Sequence, residues 1–134
     1  MTEFVYLHGF ASGPSSKKAS AFKNKFKEIG VSLNTPDLEG GNFENMTLTS
    51  QVNIVLDLLD QFQCKKVCLI GSSMGGYLAT LVAQRRVEVK ATYLMAPGFN
   101  FLERWMRSLK LDCDDETCWE PKIQIFHYRY DENK

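Results

Sequence analysis

One stretch constrains this chain more than any other. Residues 66–70 form a strand whose last four members, Val-Cys-Leu-Ile, are apolar without interruption. That is the pattern of a strand covered on both faces, not of one half-open to water. It passes directly into Gly71-Ser-Ser-Met-Gly-Gly76 and then into a helix reaching about Arg86. A strand buried on both sides needs helices above and below it, and helical crossovers make neighbouring strands parallel.

The rest of the chain repeats this alternation. Residues 3–8 read as a buried strand that stops at Gly9. Ser15 or Ser16 can cap a helix with Ala19, Phe22, Phe26 and Ile29 on one face and Gly30 in the C′ position. A short strand over residues 31–35 ends at Pro36, and residues 37–45 form a loop. Thr47 or Thr49 caps a second helix with Val52, Val55, Leu59 and Phe62 facing inward. A fourth strand is expected over residues 90–95, a helix over 99–110, an acidic loop over 111–120 and a fifth strand over 122–127. Strands alternating with helices of this length predict βαβ units in a three-layer α/β sandwich.

Composition narrows the partners. With 134 residues the chain has room for one domain, spanning 1–134. Sixteen basic and sixteen acidic residues give a net charge of zero, so a nucleic-acid partner gains no support. The apolar runs are far too short for a membrane span. No basic region precedes an apolar stretch at the N-terminus, so no signal peptide is expected and a cytoplasmic setting is the default. Cys64, Cys68, Cys113 and Cys118 are spaced loosely for zinc and read as ordinary reduced thiols. A Cys113–Cys118 disulfide stays open but does not suit that setting. Asp112, Asp114, Asp115 and Glu116 lack the glycine and closing glutamate of a calcium loop. No cofactor or metal is expected. Lys17, Lys18, Lys23, Lys25 and Lys27 make the first helix basic, which reads as a solvated face.

The chemistry is concentrated after the third strand, where Gly71-Ser72-Ser73-Met74-Gly75 matches G-x-S-x-G between a strand and a helix. The turn is so sharp that side chains two positions either side of its centre would clash, which explains Gly71 and Gly75. Ser73 is then lifted to the carboxyl edge of the sheet as a candidate nucleophile, and the Met74 N–H points from a helix N-terminus at the same spot. The competing reading is a glycine-rich turn or phosphate cradle, but neither G-x-G-x-x-G nor G-x4-G-K-[ST] is present. His8-Gly9-Phe10 follows the first strand at the same edge. The Phe10 N–H can complete an oxyanion hole with that of Met74, with His8 organising the loop.

These motifs resemble the α/β-hydrolase superfamily and, within it, the small YqiA/YcfP-like esterase family. Leu7-His-Gly-Phe10 with Ser12, Pro14, Ser16, Lys18 and Ala19 is similar to that family's opening. Gly71-Ser-Ser-Met-Gly-Gly-Tyr77 is similar to its turn, and Met95-Ala-Pro97 to the segment after the next strand. The resemblance implies an incomplete α/β-hydrolase fold, a five-stranded parallel sheet in the order 2-1-3-4-5. It also implies a serine hydrolase acting on a small-molecule acyl ester or thioester through a Ser-Asp-His triad. Asp131 resembles the acid, with Glu132 as the neighbouring alternative. The base is missing: of the two histidines, His8 sits at the oxyanion loop and His127 precedes the acid. The expectation is therefore a chain lacking the final strand, histidine loop and helix, either a fragment or a natural variant, with little or no turnover. The alternative is a non-enzymatic hydrolase-like module that binds an acyl ligand or a protein. Phe101, Leu102, Trp105, Met106 and Leu109 form an apolar face suited to packing or to an acyl pocket.

Overall fold

A computed structural model describes residues 1–63, 66–100 and 103. Its elements run β1 (Glu3–Leu7), α1 (Lys17–Glu28), β2 (Leu33–Asn34), α2 (Leu48–Gln61), β3 (Val67–Ser72), α3 (Met74–Ala83) and β4 (Val89–Met95), with a 3-10 turn at Phe43–Asn45. The strands form one parallel sheet in the order β2-β1-β3-β4. The described residues thus hold four strands where five were expected. The fifth, over residues 122–127, lies outside them, as do Cys64, Cys113, Cys118, the acidic loop and the apolar face from Phe101 to Leu109.

Side-chain alternation along the strands builds the three layers. Val5 and Leu7 of β1 and Val67 and Leu69 of β3 pack on one side with Val52, Val55 and Leu59 of α2 and Leu78, Ala79 and Val82 of α3. Tyr6, Ile70 and Leu33 point the other way, onto Ala19, Phe22 and Phe26 of α1. There Phe4 meets Phe26 edge-on at 5.2 Å between centroids, and Tyr6 meets Phe22 at 5.6 Å. The run Val-Cys-Leu-Ile is apolar throughout because β3 is covered on both faces.

Local signals set most boundaries. Ser16 caps α1 by accepting from the Ala19 N–H at 3.2 Å. The helix ends with Gly30 at φ 72, where the Gly30 N–H donates to Lys27 and the Val31 N–H to Phe26. This pair of bonds is a Schellman closure, with glycine at the left-handed position. The closure corrects two expectations. Val31 is spent on the helix end, so β2 is only Leu33–Asn34 instead of residues 31–35. Ile29 is the C-cap and is 72% exposed, off the inner face assigned to it. Thr47 caps α2 in a reciprocal box with Ser50, at 3.0 and 2.9 Å. The third helix stops at Ala83, short of Arg86.

The chain runs from β1 outward to β2, then crosses back to β3 and β4. The reversal of direction lies between β1 and β3, and a crevice at their carboxyl ends is where such sheets bind ligands.

Candidate active site

Steric exclusion shapes the connection from β3 to α3. A Cβ at Gly71 would run into the Gly75 carbonyl and lie 2.5 Å from Gly76 Cα. A Cβ at Gly75 would collide with the Leu7 carbonyl and lie 2.7 Å from that of His8. Only glycine at both positions lets α3 start this close to β3 and to the end of β1. The chain then turns through Ser73 at φ 54, ψ −119, a conformation that L-residues rarely adopt.

Four backbone hydrogen bonds hold that strain in place. The Ser73 N–H donates to Met95 at 2.9 Å, and its carbonyl accepts from Gly76, Tyr77 and Gly98 at 3.0, 3.3 and 2.7 Å. Ser73 is exposed although Gly71, Ser72, Gly75 and Gly76 around it are buried. Met74 opens α3, so its N–H belongs to the first turn, which has no carbonyl of its own helix to bond. Sequence reasoning missed Gly98, whose N–H anchors the segment after β4 to the turn. A Cβ there would sit 3.2 Å from the Met74 nitrogen.

The loop after β1 lies against the same place. A Cβ at Gly9 would stand 3.5 Å from Ser73 Cβ and 3.5 Å from the Ser72 carbonyl, an ordinary contact distance. The Ser12 N–H closes a turn back to the Gly9 carbonyl at 3.3 Å, with Ala11 at φ 52. The Phe10 ring meets Phe43 at 5.5 Å. His8 is 2% exposed. Its Nε2 accepts from the Leu38 N–H at 3.0 Å, and its Nδ1 donates to the Gly9 carbonyl at 2.9 Å. This pattern assigns the neutral Nδ1–H tautomer. Asp37 Oδ1 stands 3.8 Å from Nε2 and accepts the Glu39 N–H. Asp131 lies outside the described residues.

A second cluster was not anticipated. Lys18 Nζ donates to Ser72 Oγ at 2.9 Å, and the Tyr6 hydroxyl bonds the same Ser72 side chain. Lys25 fits the solvated basic face, paired with Glu28 in water, and Lys18, though exposed, also reaches the residue before Ser73. Burial pushes the Tyr6 phenol up, partly offset by Ser72. Burial likewise raises the Cys68 thiol, which is free.

The model of Uncharacterised protein family UPF0227 matches residues 3–134. The chain belongs to UPF0227. This bears out the esterase-family resemblance carried by the motifs. As a UPF0227 member it is 36% identical over 104 residues to "Putative esterase/lipase 2" of Mycoplasma pneumoniae, covering 70% of this chain and 37% of that protein. The namesake in Mycoplasma genitalium is 37% identical over 100 residues, with the same coverage. The chain thus spans 37% of the length of these curated relatives. Among solved structures it resembles Est1E of Butyrivibrio proteoclasticus, with a TM-score of 0.68 and 24% identity over 80% of this chain and 47% of that one. Mouse alpha/beta hydrolase domain-containing protein 10 gives 0.65 and 24% over 81% and 48%. The UPF0227 chain therefore has an α/β-hydrolase-like fold. Among its described residues no helix is long and apolar enough to cross a membrane.

Proposed function

We propose that this chain carries the nucleophile and oxyanion-binding half of a serine esterase or thioesterase, with Ser73 as nucleophile at a nucleophile elbow. The observation that carries the reading is one exposed serine held at φ 54, ψ −119 between a buried strand and a helix N-terminus. That conformation costs about 1–3 kcal/mol and persists because the four bonds around Ser73 over-determine it. Ser73 Oγ attacks the acyl carbon and its proton passes to water or to the base that Asp131 orients, which hands it on to the departing alcohol or thiol. The carbonyl oxygen becomes an oxyanion and is held by the N–H groups of Met74 and Phe10. Collapse of the intermediate expels the alcohol or thiol, and water then releases the acid from the acyl-enzyme. Gly71 and Gly75 make the turn possible, and Gly9 leaves room beside Ser73.

His8 is the organiser of the oxyanion loop. Its Nε2 lone pair is committed to the Leu38 N–H, so it does not take the Ser73 proton. Asp131 is the acid that orients the base in this reading, and His127 lies ahead of it in sequence. Without a base at Ser73, turnover falls by about 10⁴–10⁶, and binding and oxyanion stabilisation remain.

The test does not need turnover. A fluorophosphonate probe labels the chain at Ser73, and Ser73→Ala abolishes the labelling. Absence of labelling even in a lengthened chain that supplies a histidine base overturns the reading and favours a hydrolase-like module that binds an acyl ligand or a protein.

A further inference from the structure

Lys18 occupies an unfavourable place for a cation. It is the second residue of α1, where the helix dipole is positive, and the first turn holds no acidic residue to offset it. Among the described residues no carboxylate pairs with Lys18, whereas Lys25 and Arg86 both have such partners. The residue is exposed, yet its side chain is tethered at one point. It reaches across 54 positions of sequence to put Nζ 2.9 Å from Ser72 Oγ. Ser72 is 7% exposed and lies next to the buried Tyr6 phenol. An ammonium has three donors, and one bond to a hydroxyl leaves two of them to water or to a ligand.

The topology adds to that charge. Both α1 and α3 begin at the carboxyl edge of the parallel sheet, so two helix N-termini face the crevice beside Lys18. No acidic residue occurs in the first turn of α3 either. The side of the crevice next to Ser72 thus carries a cation and two helix N-termini, while the carboxylates of Asp37 and Glu39 lie on the His8 side.

The geometry points to Lys18 as the group that selects substrate charge: the site takes acyl esters that carry an anionic group, a carboxylate or a phosphate, a few atoms from the ester carbon. This rests on the reading of Ser73 as nucleophile. The Ser72 hydroxyl sets where the ammonium stands, and the ammonium meets the anion while the ester lies over Ser73. Lysine acts here as a point charge, so either anion can satisfy it.

Binding to the full chain carrying Ser73→Ala tests this without turnover. Three esters of similar size are titrated by NMR: monoethyl succinate, ethyl phosphonoacetate and the neutral ethyl butyrate. At least one anionic ester is expected to bind about fivefold tighter than the neutral one, the scale of one partly exposed charge pair. The tighter of the two anions identifies the natural group. Adding Lys18→Met brings the ratio to about one, and Lys18→Arg retains it. Raising salt from about 20 mM to about 500 mM shrinks it. A ratio near one with Lys18 present overturns the inference, as does a ratio that survives Lys18→Met. Equal weakening of all three esters in Lys18→Met, with the ratio intact, makes Lys18 a structural tether and also overturns it. Fluorophosphonate labelling of the Ser73 chain is read separately, so failure of the nucleophile and failure of the charge filter are told apart.

Discussion

Two connections leave the carboxyl edge of the sheet side by side and are built by opposite means. The one from β3 to α3 is shaped by what is missing: no side chain at Gly71 or Gly75, and helix packed where a Cβ would have been. The one from β1 to α1 is shaped by what reaches in from elsewhere. His8 is tied to Leu38, Lys18 to Ser72, and Ser16 to its own helix. The first is a steric solution whose motif spans six residues and whose fit is set against Leu7, His8, Met95 and Gly98. The second depends on partners about thirty and fifty positions away.

Substitutions separate these two modes of construction. Gly75→Ala is expected to do the most damage, because its methyl must displace the backbone carbonyl of Leu7. A loss of about 3 kcal/mol or more in urea unfolding, or failure to fold, is the expected result. A mild effect would mean that α3 can slide along the sheet. His8→Ala comes next, at about 2–3 kcal/mol, since a buried ring is lost and the Leu38 N–H is left without its acceptor. If Ser73 labelling in this variant fell no further than stability does, His8 would hold the fold and not the loop.

Tyr6→Phe should cost about 1 kcal/mol at neutral pH through its hydroxyl bond to Ser72. It also has a pH signature. Burial raises the native phenol above its unfolded value of about 10, so the native state favours the neutral form. That stability is fully present below the unfolded value and is lost as pH rises through the raised native one. Urea midpoints between about pH 8 and pH 11 should fall less steeply in Tyr6→Phe. The smallest change in stability is expected for Gly9→Ala, under about 1 kcal/mol, because its methyl makes only ordinary contacts. The same methyl lies against Ser73 and should slow fluorophosphonate labelling severalfold. Gly9 and Gly75 are thus predicted to differ in kind, one glycine kept for access and the other for folding.

Legibility in the sequence followed the same division. The β3–α3 turn could be read from its motif because Gly71, Ser73 and Gly75 are neighbours in the chain, whereas Gly98, which also anchors it, could not. Gly30 and Thr47 could be placed for the same reason, since a cap is a local hydrogen-bonding demand. Ile29 could not, because apolar spacing alone does not reveal that the helix has already ended. The length of β2 was misjudged because Val31 answers to α1, not to the sheet. Lys18 stood out in the family-like opening, but its partner did not, because no spacing marks a contact 54 positions away. Its place in the first turn was the available signal: a cation there opposes the helix dipole and asks for a reason.

The clasp on Ser73 has a consequence for the order in which the molecule assembles. Two of its four backbone bonds come from beyond the third helix, one to Met95 and one from Gly98. While the chain is being made, the strained turn emerges well before these partners do. Until the fourth strand docks, Ser73 can relax toward an ordinary backbone conformation, and its hydroxyl has no fixed direction. The strained geometry of Ser73 is therefore completed only when the sheet has grown past it to Met95 and Gly98.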